Sequence, residues 1–486
     1  MRSAIRGAIK HGLRVVFYGG VGVALTLLFV FVSYLNNRPD LDRWHLAELD
    51  EEYTADSAVS NFQEYLALED RLFEQLDERV YERTGPAGND RINRYKRGSL
   101  ADPNRWSPDW NRSVLMAAPR PRASVLLLHG LSDSPYSLRT IGQRLHASGA
   151  TVLGLRIPGH GTAPSGLLKV RWQDMAAAVR LAARHLEEQG AGAPLYIVGY
   201  SNGAALAVQY ALSALGEPDL PRVAGLVLIS PEIGVTAAAA FAVWQARLGL
   251  LLGLDKLAWN EILPEYDPFK YGSFAVNAGD LSYRITGEIQ RQLGAAAMDD
   301  LARMPPILAF SSVVDATVLA PALAANLFNR LPANGHEMVL FDINAQAGIE
   351  PLLRWSPDEM LAALHQTAHA TYTLSLVTNE HEESPVVVER SWQPGQQISS
   401  ETALGLRWPE DVYSLTHVAL PFPPGDPLYG GSPVEPSPGI ELGRMALRGE
   451  RNVLHVSAAE MLRLRWNPFY PYLEQRIVEF IDLESP

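Results

Sequence analysis

The chain has 486 residues, of which 47% are hydrophobic and only 20% charged, enough apolar material for a large core and too much for disorder to be the default. Its net charge of -13 excludes nucleic acid as a partner, because phosphate binding needs a basic surface that releases counterions, and no basic stripe follows the first segment. The absence of cysteine excludes disulfides, thiolate metal sites and a cysteine nucleophile, and is compatible with either side of a membrane.

At the N-terminus, Val15 to Leu35 form 21 consecutive uncharged residues, about 30 Å as a helix and long enough to span a bilayer. Arg2, Arg6, Lys10 and Arg14 precede this stretch without an acidic residue among them, whereas Asp40, Asp42, Glu48, Asp50, Glu51 and Glu52 follow Arg38. The charge asymmetry places the N-terminus in the cytoplasm and the rest of the chain on the periplasmic side of an inner membrane, held by residues 15–35. A cleaved signal peptide is the other reading. Its apolar stretch would usually be shorter and end in small residues, and Val32-Ser33-Tyr34-Leu35 is a poor cleavage site. Residues 1–37 are therefore read as a basic segment and anchor.

Residues 38–112 form an N-terminal extension. Within it, Ser57 to Tyr81 carries Phe62, Leu66, Leu72, Phe73 and Leu76 near helical spacing, which predicts an amphipathic helix. Gly85 to Arg112 is rich in Gly, Pro, Asn and Trp and reads as loop. A core begins at residue 113. Ser124 to Leu128, Thr151 to Arg156, Leu195 to Val198 and Gly225 to Ile229 are short apolar strands, with helices at Tyr136 to Ala147 and after Asn202. This alternation over 113–235 predicts an α/β fold with a mostly parallel sheet covered on both faces, whose sites lie at the carboxyl ends of the strands.

Residues 236–304 break the pattern, being helical and apolar over Phe241 to Leu257 and aromatic over Trp259 to Phe274, and are read as a helical cap. The core resumes over 305–345, with a strand at Pro305 to Phe310, then Asp315 on a loop and a helix through Leu331, and a strand at Glu337 to Ile343. Residues 346–410 are read as an insertion, with added strands at Tyr372 to Val377 and Val386 to Glu389, and residues 411–486 as the last part of the core, ending in a helix at Tyr472 to Ile481.

The chemistry centres on Gly199-Tyr200-Ser201-Asn202-Gly203, which lies between the strand at Leu195 to Val198 and a helix starting Ala204-Ala205-Leu206. In that setting G-x-S-x-G is a nucleophile elbow: the serine sits on a strained turn, and Gly199 and Gly203 leave room for strand and helix to approach. A serine hydroxyl needs a base to remove its proton and backbone donors for the oxyanion. The Asn202 amide, opening the helix, is one expected donor, and Leu131, after the strand ending Leu128-His129-Gly130, is the other.

Three segments, His129-Gly130-Leu131-Ser132-Asp133-Ser134-Pro135, Arg156-Ile157-Pro158-Gly159-His160-Gly161 and Gly199-Tyr200-Ser201-Asn202-Gly203, occur in the order and at the separations of the monoacylglycerol-lipase-like branch of the α/β-hydrolases, which residues 113–235 resemble. The resemblance implies an eight-stranded core, a helical cap after the sixth strand, and cleavage of carboxylic esters by a Ser, Asp, His triad in that chain order. Ser201 would be the nucleophile. The acid is expected after the strand that follows the cap, which selects Asp315, with Asp342 as runner-up. The base is expected late in the chain. His417, in Tyr413-Ser414-Leu415-Thr416-His417-Val418, fits that loop, although it stands 102 residues after Asp315, farther than is usual for the family. His365, His369 and His381 lie in the insertion, His336 precedes a strand, and His129 and His160 come before the serine and are read as loop-ordering residues.

No metal site is expected, since His365 and His369 flank Gln366 and Thr367 without the glutamate of H-E-x-x-H, and no cofactor is needed. The substrate implied is a small-molecule or lipid-like ester. Phe241, Val243, Trp244, Leu248 to Leu252, Leu254 and Leu257 would supply an acyl pocket, a membrane-touching patch or plain cap packing. A proline-type aminopeptidase on the same fold is a second reading, with Glu261 or Glu265 holding the substrate amine. A membrane-bound scaffold without activity is a third.

Overall fold

The computed structural model describes residues 2–234, 254–315, 319–367, 371–396, 398–445 and 455–483. Strands form where short apolar runs are bounded by turns: β1 (Val114–Met116), β2 (Ser124–Leu128), β3 (Thr151–Leu155), β4 (Leu195–Tyr200), β5 (Val223–Ile229), β6 (Trp259–Glu261), β7 (Phe274–Ala275), β8 (Ile307–Ser312), β9 (His336–Phe341), β10 (Tyr372–Asn379), β11 (Val386–Trp392) and β12 (Ser400–Arg407). The main sheet has ten strands in the order β1-β3-β2-β4-β5-β8-β9-β10-β11-β12, and β6 and β7 pair separately. From β3 to β10 neighbouring strands are parallel, and the edges β1, β11 and β12 are antiparallel.

The ten strands are seven from the rest of the chain, one fewer than the eight expected, and three from residues 346–410, which extend the sheet. β10 pairs in parallel with β9, and β11 and β12 fold back onto it. β12 escaped the sequence reading because most of its side chains are exposed, and only Leu404 and Leu406 face the core, too few to give a clear period-two signal.

Among the described residues the helices of seven residues or more are α1 (Arg2–Asn36), α2 (Phe62–Leu76), α3 (Arg139–Ala147), α4 (Trp172–Gln189), α5 (Asn202–Gly216), α6 (Val276–Ala295), α7 (Ala320–Asn326), α8 (Pro357–Thr367) and α9 (Tyr470–Phe480). Alternate residues of each strand feed opposite faces. Leu126, Ile197 and Leu228 pack with α4, α5 and α6, whereas Val125, Val198 and Val227 pack with α3 and α9. α1 is the one helix among the described residues long and apolar enough to cross a membrane, over Val16–Asn36, and none of that window is buried.

The extension is welded to the core. α2 begins at Phe62, later than the predicted Ser57, because the Asn61 side chain accepts from the Glu64 amide at 3.0 Å and caps the helix there. α2 delivers Glu69 to Arg156, which is fully buried at the end of β3: Nε donates to Glu69 at 2.9 Å, and the remaining nitrogens donate to Glu52 at 3.1 and 3.2 Å. The Tyr65 hydroxyl donates to the Arg156 carbonyl at 2.6 Å, and Ser113 donates to Glu69 from both its amide and its hydroxyl at 2.9 Å.

Two buried histidines order the loops after β2 and β3. His129 Nδ1 donates to the Gly130 carbonyl at 2.8 Å and Nε2 accepts from the Ile157 amide at 3.0 Å, while His160 Nδ1 donates to the Pro158 carbonyl at 3.0 Å. Burial pushes the His160 imidazole down to about 4. Between an unfolded value near 6.5 and this folded one, the unfolded chain binds the proton and the fold does not, so stability falls as pH drops through that window. The stability advantage of the native chain over His160→Gln is expected to shrink by about 2 kcal/mol between pH 7 and pH 5, read by urea unfolding, at about 1.4 kcal/mol per pH unit. A gap unchanged with pH would contradict it.

Candidate active site

β4 runs straight into a turn that holds Ser201 at φ 53°, and α5 starts at the next residue. A positive φ on a non-glycine residue is strained, and the surroundings hold it: the Ser201 amide donates to Ile229 at 2.9 Å, and the Ser201 carbonyl accepts from the Glu232 amide at 3.2 Å. The flanking glycines are sterically required. A Cβ on Gly199 would lie 2.5 Å from the Ala204 Cα, and one on Gly203 would run into the carbonyls of Leu128 and His129. Gly203→Ala is therefore expected to yield chain that fails to fold or melts far below the native protein, since backbone cannot yield as a flexible side chain can. Differential scanning fluorimetry would read it, and native-like melting would refute the steric reading.

Ser201, Asp315 and His417 come together from three places in the sequence. The Ser201 hydroxyl donates to His417 Nε2 at 3.0 Å, and His417 Nδ1 donates to the Asp315 carboxylate at 2.9 Å, the tautomer that satisfies all three groups. Ser201 and His417 are largely buried and Asp315 is 3% exposed. Asp315 lies just past β8, three residues after Ser312, and His417 lies on a short turn, His417–Ala419.

Asp342 is engaged elsewhere, and the described histidine candidates lie on other elements. The Asp342 carboxylate accepts from Thr378 at 2.7 Å and from the Ile343 amide at 2.8 Å, serving the β9–β10 junction. His336 opens β9, His365 lies on α8, and His381 is in the turn between β10 and β11. His369 lies outside the described residues.

Ser201 and His417 open onto a cavity of about 490 Å³ that Leu131 also lines. Asn202 supplies the first amide of α5, where helix donors lack intrahelical acceptors. Several charged and polar groups stand in the described part of the wall. Lys270 meets Asp133 at 2.7 Å, and the Tyr429 hydroxyl donates to Asp267 at 2.7 Å; all four line the wall, with Arg463 and Arg465 nearby. Of the apolar residues expected to form an acyl pocket, Phe241, Val243, Trp244 and Leu248 to Leu252 lie outside the described residues. Neither Leu254 nor Leu257 is among the described residues that line the cavity. Within 236–304 the described part of the wall comes from the aromatic stretch 260–274, which carries the β6–β7 ribbon and its loop, and Phe422, Tyr429 and Val456 to Arg465 complete the lining.

Glu261 lines the cavity. Glu265 does not: it is buried and accepts from the amides of Gly272 and Ser273 at 2.9 Å each, shaping the loop. The acidic residue that sequence reasoning missed is Glu232, which lines the cavity close to the serine and accepts from the Asn202 side chain at 3.3 Å. Burial pushes its carboxyl up, opposed by hydrogen bonds from Ser282 and Asn202 and by His417. Its only sequence signal was its place three residues past β5, beside the elbow strand. Among the described residues no group of His, Asp and Glu has the arrangement of a metal site.

Residues 119–268 match the family described as Serine aminopeptidase, S33. A thermostable monoacylglycerol lipase from Bacillus sp. (strain H-257) is 28% identical over 116 residues, 24% of this chain and 43% of that protein, so the match spans less than half of the relative's length. Among solved structures, one reported for the metagenome-derived lipolytic enzymes LipS and LipT is 22% identical, covering 53% of this chain and 98% of its own at a TM-score of 0.37. The monoacylglycerol lipase of Paleococcus ferrophilus is 19% identical, covering 47% of this chain and 88% of its own at a TM-score of 0.36.

Proposed function

We propose that this chain, an α/β-hydrolase of the monoacylglycerol-lipase-like branch, is a serine hydrolase that cleaves carboxylic acyl esters through an acyl-enzyme, with Ser201 as nucleophile, His417 as base and Asp315 as its acid partner. One observation carries the reading: the unbroken hydrogen-bonded line from the Ser201 hydroxyl through His417 to Asp315, opening on the cavity. His417 Nε2 takes the hydroxyl proton as Oγ attacks the ester carbonyl, and Asp315 stabilises the imidazolium that forms. The amides of Asn202 and Leu131 receive the oxyanion. Collapse of the tetrahedral intermediate breaks the bond to the alcohol, which takes the proton back from Nε2. Water activated by the same nitrogen then releases the acid and restores the serine.

Leu131, Leu263, Phe274 and Phe422 offer an apolar side to the cavity for an acyl chain, and the charged groups opposite suit a hydroxyl-bearing alcohol, which favours a monoacylglycerol-type ester. The chain is held in the inner membrane by α1, with residues 38–486 on the periplasmic side, a reading supported by the apolar helix and the basic residues before it. Turnover of p-nitrophenyl esters and of monoacylglycerol by the purified full-length chain, with labelling by a fluorophosphonate, tests the reading. A folded protein that neither turns over ester nor takes the label would overturn it.

A further inference from the structure

Only Asn37 separates the end of α1 at Asn36 from Arg38, about 7 Å of extended chain. The Arg38 guanidinium is bound by the polypeptide that walls the cavity: Nη1 donates to the Lys256 carbonyl at 2.7 Å, and Nη2 donates to the carbonyls of Trp259 and Asn260 at 2.8 and 3.1 Å. Lys256 answers by donating to the Arg38 carbonyl at 3.0 Å and to Asp40 at 2.8 Å. A few residues on, buried His45 sets its ring edge-on to Trp259 at 4.9 Å, and its Nε2 lies 2.9 Å from the Ser273 hydroxyl. That hydroxyl donates to the Leu263 carbonyl at 3.0 Å. Residues 38–45 are thus fastened to both arms of the 256–273 excursion. Asn260, Glu261 and Leu263, on that excursion, line the cavity with Ser201 and His417. A planar guanidinium held by several carbonyls gives a rigid junction, unlike the exposed Lys256–Asp40 pair, which adds little by itself.

We propose that residues 38–45 are a strap that fixes the cavity wall at the membrane surface, so that the site draws its ester from the bilayer and not from the water. The proposal rests on the reading of Ser201 as the nucleophile of an ester hydrolase and of α1 as its anchor. A long-chain ester partitions into the bilayer and is scarce in water, so a cavity wall fixed a few residues from the anchor meets a far higher local concentration than one on a slack tether.

The test uses the full-length protein in phosphatidylcholine vesicles, with long-chain monoacylglycerol in the bilayer as one substrate and p-nitrophenyl acetate in the water as the other. Two variants are compared with the native chain. One is Arg38→Ala combined with Lys256→Ala. The other inserts about ten Gly and Ser residues between Asn37 and Arg38, which leaves every strap contact in place and adds roughly 17 Å of slack. Both are expected to lose about tenfold or more on monoacylglycerol while staying within about twofold of the native rate on p-nitrophenyl acetate.

An insertion variant that keeps the native rate on both substrates overturns the proposal. So does equal loss on both substrates in the two variants, which would mean damage to the wall, and so does recovery of a mature chain lacking α1 from the soluble fraction. A native protein inactive on p-nitrophenyl acetate would instead bring down the hydrolase reading itself.

Discussion

Ser201→Ala is expected to lower kcat/KM for p-nitrophenyl esters by roughly four to six orders of magnitude and to abolish fluorophosphonate labelling, while thermal unfolding stays close to that of the native chain. His417→Ala should fall by a similar factor, and the double variant should be no worse than either single one, because a nucleophile and its base act as one unit. That non-additivity distinguishes the proposed triad from a serine and a histidine that contribute separately. Asp315→Asn should cost about 10⁴-fold with geometry preserved, since an amide cannot stabilise the imidazolium and turns the ring toward the wrong tautomer. The 2.9 and 3.0 Å separations leave no space for a water between the partners, so each replacement acts directly on its neighbour. Labelling that survives in His417→Ala at the native rate would mean that another group activates Ser201.

Glu69→Ala should be the most damaging substitution away from the site, costing roughly 3–5 kcal/mol, as expected when one partner of a buried ion pair is removed. Arg156 is fully buried and Glu69 nearly so, and Glu69 also accepts both Ser113 donors, so the variant leaves Arg156 Nε and two Ser113 donors unpaired in the interior with only Glu52 to balance the guanidinium charge. Burial pushes the Glu69 carboxyl up, and Arg156 together with the Ser113 donors pulls it back. The same logic predicts a rescue. Arg156→Met combined with Glu69→Leu and Glu52→Leu should recover part of the loss, because an apolar cluster carries no desolvation cost for charge, while the two Ser113 donors stay unpaired. Guanidinium unfolding of detergent-solubilised protein reads both variants. A Glu69→Ala midpoint close to the native one would show that the extension is not held by this cluster.

The parts of the molecule that were legible in the sequence are local. Strand, turn and helix follow one another without a break from Leu195 to Ala204, so the elbow needs no distant residue to be recognised, and the glycines at 199 and 203 are demanded by backbone approach within the same stretch. The alternation of apolar runs and amphipathic helices likewise reports a parallel sheet before any contact is known. The uncharged stretch before Arg38 reports a helix able to cross a membrane by length and composition alone. Asp315 and His417 were reached by the chain order of a resembling family, and no property of either segment by itself marks it as their partner.

What only the tertiary structure decided are meetings between residues far apart in the chain. Asp315 touches His417 across 102 positions, and His417 touches Ser201 across 216. Glu232 reaches the elbow because β5 pairs beside β4, and the strands read at 372–377 and 386–389 joined the main sheet, with β12 outside them, by pairing along β9. Glu69 finds Arg156 across 87 positions and Arg38 finds Trp259 across 221. A side-chain period describes only which face of an element is apolar, and carries no information about which polar group on another element will stand opposite. That is set by strand register and by the cost of leaving a buried charge or donor unpaired, and both exist only once the chain has folded.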